Sequence, residues 1–150
     1  MIFWDASAIV PLLAGEERSV LARRVATEDA EMVVWWGTHV ECLSAIARRE
    51  RTGELSQNHA DAARSGLEEV SSSWFEVQAS SLVRDHAARL LRRHSLRAAD
   101  ALQLGAALTW CGGEPEQRSL FSLDDRVASV ARSEGFRLVA RNTASPGNDH

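Results

Sequence analysis

Four carboxylates in this 150-residue chain stand where chemistry is a better explanation than solvation. Asp5 closes a short apolar run in MIFWDASAIVPLL, with a serine, Ser7, two residues on. Asp100 sits in LRAADALQLGAAL, among alanines, leucines and a glycine that surround most of a helix circumference. Such a helix is buried, and a carboxylate in its first turns costs several kcal/mol unless a cation or hydrogen bonds compensate. Glu41 lies in HVECLSAIARRE and Asp124 in SLDD. Carboxylates brought to one place repel and either protonate, splay or share a cation. Oxygen-only ligation of that kind selects a hard ion such as Mg2+ or Mn2+ over zinc.

Taken singly, each acid has a structural explanation. Asp5 is a natural helix N-cap, and so is Asp124, with Asp125 and Arg126 as surface charges. Glu41 reads as a solvated first-turn residue, and Asp100 as a first-turn acid favoured by the helix dipole and paired with Arg97. Convergence is what separates the readings, and it depends on the elements that carry the four residues.

Strands and helices alternate along the chain. IFWD is the first strand, followed by a helix from Ser7 to about Leu13 with Pro11 near its first turn, where a missing N–H costs least. Gly15 ends it, and a second helix spans Ser19 to about Thr27. Met32 to Trp36 is the next strand, Gly37 and Thr38 turn it into a helix from about His39 to Arg51, and Gly53 breaks the pattern. Ser56 to Val70 is helical, Trp74 to Val77 a third strand, and Ser80 to His94 and Ala98 to Trp110 two further helices. CGGEPEQ is a loop, LFSL a fourth strand, Asp125 to Glu134 a helix, and Phe136 to Ala140 a fifth strand. The pattern implies a three-layer α/β/α sandwich around a central parallel sheet of about five strands. Ligands of open parallel sheets gather outside the carboxyl ends of the strands, where the four acids fall. One domain is expected over residues 1–141, with 142–150 a disordered tail.

Composition narrows the class. A domain of this size buries about two-thirds of its unfolded surface and needs no staple. Cys42 and Cys111 are far apart and have no metal-ligand spacing, which favours a reducing, cytoplasmic location over a disulfide framework. A secretory signal is not expected, since Asp5 breaks the first apolar run, and no run of about 18 apolar residues is present. Net charge is -4, and all 17 basic residues are arginine. Without lysine there is no phosphate-cradling GKS/T loop and no receiver-type phosphoacceptor site. Two arginine groups are candidates for RNA phosphates, Arg92, Arg93 and Arg97 before Asp100, and Arg48, Arg49 and Arg51 after Glu41. The first ranks higher because it leads directly into Asp100. His39 is assigned a structural role, and Trp35 or Trp36 at a strand end is a candidate for base stacking or a partner surface.

The order DAS, HVECLSAIARRE, LRAADALQLGAAL and SLDDRVASVA resembles a PIN domain, in particular the VapC-like toxin ribonucleases of type II toxin–antitoxin pairs. Trp4 before Asp5 and Cys42 after Glu41 depart mildly from the family pattern, and neither removes an acid. The resemblance implies an acidic centre of Asp5, Glu41, Asp100 and Asp124 that holds Mg2+, with Mn2+ able to substitute, and support from Ser7 and Ser122. Asp124 is preferred to Asp125 on the S-x-D spacing. The implied reaction is endonucleolytic attack of metal-activated water on a phosphodiester of structured RNA, a tRNA or rRNA loop. Implied partners are a VapB-like antitoxin and a second copy of the chain in a homodimer, with no membrane. The alternatives are a PIN-type nuclease of RNA maturation or DNA, and a non-catalytic PIN-fold binding protein.

Overall fold

A computed structural model of the chain describes residues 1–15 and 19–139. The expected tail, 142–150, lies outside the described residues, as does Ala140. Five short strands, β1 (Ile2–Trp4), β2 (Met32–Trp35), β3 (Phe75–Val77), β4 (Ser119–Phe121) and β5 (Arg137–Leu138), form one parallel sheet in the order β3-β2-β1-β4-β5. The connecting helices are α1 (Ala6–Ala14), α2 (Ser19–Glu28), α3 (Thr38–Arg51), α4 (Gln57–Ser71), α5 (Ser81–Arg93), α6 (Ala98–Trp110) and α7 (Asp125–Glu134).

Alternation along the strands splits the apolar residues between two faces. Phe3, Val33, Trp35 and Leu120 pack with Val83 and Leu90 of α5, Leu104 and Leu108 of α6, and Val127 and Val130 of α7. Trp4, Val34 and Phe121 point the other way, against Ile9 of α1, Val25 of α2, Cys42 of α3 and Leu67 of α4. The result is the expected three-layer sandwich. Its strand order reverses direction between β1 and β4, the topological position at which open α/β sheets leave a crevice. Ile2, Phe3 and Trp4 pair with Ser119, Leu120 and Phe121, so the residues that follow, Asp5 and Ser122, emerge side by side into that crevice.

Boundaries differ from the sequence reading where backbone pairing decides them. Trp36 is not in β2: its N–H still donates to the Val77 carbonyl, but the chain turns and leaves its ring half exposed. Ser56 and Ser80 are N-caps, accepting from the His59 and Val83 amides, rather than helical residues. Pro11 lies inside α1, because the helix begins at Ala6. The Ser7 carbonyl four residues earlier therefore has no helical N–H to receive. The CGGEPEQ loop contains a 3₁₀ turn at Pro115–Gln117. Among the described residues no helix is long and apolar enough to cross a membrane.

Candidate active site

Asp5 stands at the N-cap position of α1 with extended backbone angles, yet its carboxylate makes no capping hydrogen bond. It turns toward β4 instead. Oδ2 accepts from Ser7 Oγ at 2.6 Å and from Ser122 Oγ at 2.8 Å. Ser7 Oγ also accepts from the Leu123 and Asp124 amides, at 2.9 and 3.2 Å, so one hydroxyl ties the loop after β1 to the loop after β4. Asp5 is 4% exposed. Burial raises its pKa, the two serine hydroxyls oppose the rise, and repulsion from Asp100 and Asp124 adds to it.

Glu41, in the first turn of α3, is half-buried rather than solvated. Its Oε2 accepts from Gln103 Nε2 at 2.6 Å, and the same amide donates to Thr38 Oγ1 at 2.9 Å. Gln103 is 1% exposed and its Oε1 has no partner among the described residues, an orphaned acceptor behind the site. Desolvation lifts the Glu41 pKa to about 7, against the Gln103 hydrogen bond and with help from Asp5 and Asp100. The same burial, followed by the charges of Glu41 and Asp5, pushes the neighbouring Cys42 thiol to about 12 and keeps it protonated. Asp100, in the first turn of α6, is raised by burial and by Asp124, while Arg97 and Arg126 favour its charged form.

Asp124 is the acid that caps a helix. Its Oδ1 accepts from the Arg126 and Val127 amides, at 2.9 and 3.0 Å, and starts α7. Asp5, Ser7, Glu41, Asp100 and Asp124 all line one cleft of about 440 Å³ at the carboxyl edge of the sheet. Asp125 is not on this cleft, which favours Asp124 of the pair. Arg48 and Arg49 line it, on the α3 face that also carries Glu41 and Ala45. Arg92 and Arg93 do not: with Arg89 they border a separate groove, and Arg93 and Arg89 pair with the Glu134 carboxylate. The cleft thus takes its lining arginines from the group after Glu41, while Arg97 of the other group acts on Asp100 through its charge. The α3 placement had a signal, since Glu41, Ala45 and Arg48 are spaced i, i+4, i+7. His39 pairs with Glu68 at 3.3 Å and stands edge-on to Trp74, joining α3 to α4 in the structural role expected of it.

Among the described residues, no group of three or more His, Cys, Asp or Glu side chains is gathered into a ready ligand cage. The four acids nevertheless suit a hard cation. Asp5, Glu41 and Asp124 each engage one oxygen with the protein and leave the other without a hydrogen bond from the described residues. All of the donors are oxygen, and the mutual repulsion of the acids is the kind of strain that a divalent ion relieves.

The chain's fold is shared with solved structures. It aligns with VapC20 of Mycobacterium tuberculosis, a sarcin–ricin loop cleaving toxin, at TM-score 0.63 and 19% identity, over 87% of this chain and 95% of that one. PAE2754 from Pyrobaculum aerophilum aligns at TM-score 0.63 and 20% identity, over 91% and 87%. No protein-family model matches the chain. Two curated relatives, ribonucleases VapC45 and VapC49 of M. tuberculosis strains, are each 31% identical over 139 residues, 93% of this chain and 94% of theirs. The chain belongs to the VapC family of PIN-domain ribonuclease toxins.

Proposed function

We propose that this ribonuclease is an Mg2+-dependent endonuclease of structured RNA, a tRNA or rRNA loop, that acts in the cytoplasm and is held in check by a VapB-like antitoxin. One observation carries the reading: four carboxylates from four separate segments face one cleft, and three of them keep an oxygen without a partner among the described residues. Asp5, Glu41, Asp100 and Asp124 would hold the ion, with Mn2+ able to substitute. When bound, such an ion polarises the scissile phosphate and lowers the pKa of water.

The chain's own residues supply the rest. Ser7 and Ser122 fix the Asp5 carboxylate and favour its charged form. Gln103 orients Glu41 from behind. Arg48 and Arg49 bring positive charge to a cleft that would otherwise repel a phosphodiester. A basic side chain of the antitoxin would satisfy the same acids and occupy the same space.

Asp5→Asn and Asp100→Asn test the reading. Asn at position 5 keeps an oxygen for the two serine hydroxyls, so both variants are expected to fold and to lose cleavage of structured RNA in Mg2+ or Mn2+. Cleavage that persists in EDTA, or in both variants, overturns the metal-nuclease reading. Wild-type protein that cuts no cellular RNA yet binds a partner tightly would make the chain a non-catalytic PIN fold.

A further inference from the structure

Acids that face a cation also repel RNA, so the strand must be held by other groups beside the cleft. A second cavity, of about 410 Å³, is lined by Trp35, Ser80, Ser81, Arg84 and Leu102. Leu102 and Asp100 are two residues apart on α6, roughly 200° around a helix about 10 Å across. The two cavities therefore flank opposite sides of the same turns. They are also neighbours along the sheet edge: Phe3 pairs with Val33, and Asp5 and Trp35 each stand two residues further on.

The second cavity sets hydrogen-bond donors among the apolar side chains of Ala79, Val83 and Leu102. Trp35 is 7% exposed, and its indole N–H has no hydrogen-bond partner among the described residues. That N–H is not one of the orphaned polar atoms sealed from solvent, which belong to Trp4, His94 and Gln103, and Trp35 itself lines the cavity. Gly37 makes room for the ring, since a Cβ there would stand 2.5 Å from Trp35 Nε1. Arg84 is exposed and has no ion pair among the described residues. The 13-residue α5 starts at this cavity with no acid in its first turn, and its cap, Ser80, takes only the Val83 amide. An indole N–H, a guanidinium and a helix N-terminus together suit an acceptor-only anion, a phosphate, better than a base edge that also needs acceptors. Next to Trp35, Trp36 is 53% exposed, with its ring edge-on and the centroids 6.3 Å apart.

We propose that these groups form a nucleotide subsite for the RNA substrate, distinct from the acidic centre. A phosphodiester away from the scissile bond is held by Trp35 Nε1, Arg84 and the start of α5, and a neighbouring base stacks on Trp36. This rests on the ribonuclease reading above and specifies where the strand runs.

The test measures binding of a fluorescein-labelled oligouridylate to the full chain carrying Asp100→Asn, so that cleavage does not intervene. Adding Arg84→Gln is expected to weaken binding and to lower the slope of log K against log salt by about 0.7, one phosphate contact to a single strand. Adding Trp36→Ala is expected to weaken binding roughly five- to a hundredfold with the slope unchanged. Unchanged affinity and slope in both variants overturns the subsite. So does tight inorganic phosphate binding that depends on Arg84 while oligouridylate binding does not, which would make this a free-anion site. A shift from dimer to monomer in Trp36→Ala, with RNA affinity retained, overturns it in favour of a second copy on this face. In each of those cases the wild-type chain still cuts RNA in Mg2+, and loss of that activity alone counts against the nuclease reading.

Discussion

Gln103 is almost wholly buried, yet its amide reaches two side chains of α3 at once. A buried glutamine with an orphaned carbonyl oxygen is a costly choice for a core position, and the position of Glu41 is what it secures. Outer groups of this kind typically change metal affinity by about 10- to 100-fold when they are removed. Gln103→Leu, of similar volume and without polar atoms, is expected to weaken Mn2+ binding within that range by calorimetry while the chain stays folded. Unaltered affinity would reduce Gln103 to a packing residue. Asp124 presents the converse case, since one carboxylate both starts α7 and faces the cleft. Asp124→Ala is expected to lose about 1 kcal/mol of stability together with cleavage, whereas Asp124→Ser retains a capping oxygen and loses cleavage alone. A serine variant that still cleaves would confine Asp124 to capping.

At the level of elements, much of the site was legible because strands and helices declare themselves through their apolar periods. The five strands and the carboxyl-edge location of the four acids follow from runs such as MVVW and from the order of segments. The choice between cap and ligand did not follow. Asp5 and Asp124 both precede helices in local contexts that favour capping, and only Asp124 caps. Two hydroxyls hold Asp5 away from the cap: that of Ser7, two residues on, and that of Ser122, 117 residues distant and placed by a strand pairing that no local pattern encodes. The arginines that line the cleft were hidden for a related reason. Proximity in sequence put Arg92 and Arg93 beside Asp100, but the close approach of α5 to α6, where a Cβ on Gly105 would meet the Val83 carbonyl oxygen at 2.8 Å, does not bring them into its cleft. Helical phase along α3 carries the Arg48 information, and that signal is local.

At the scale of the whole molecule, the acids set a pH dependence. Asp5, Glu41 and Asp100 all bind protons more tightly in the folded chain than their ordinary values imply. Stability from a raised acid is complete below the unfolded pKa and is lost as pH rises through the folded value, which for Glu41 is about 7. Without divalent ions the melting temperature is therefore expected to fall from about pH 4.5 to about pH 7, and Mg2+ should flatten the fall by displacing those protons. Glu41→Gln should show a shallower metal-free slope than the wild type, and an equal slope would assign the effect to other groups. The hydroxyl tie between the two ends of the fold has a consequence in time. A chain emerging amino end first makes Asp5 at once but waits 117 residues for Ser122, roughly 6 to 23 s at about 5–20 residues per second. Throughout that interval β1, the middle strand of the finished sheet, lacks its β4 neighbour. The toxin's acidic centre is thus among the last things its own synthesis completes, and a chain cut short before Asp124 carries the first acid without the means to use it.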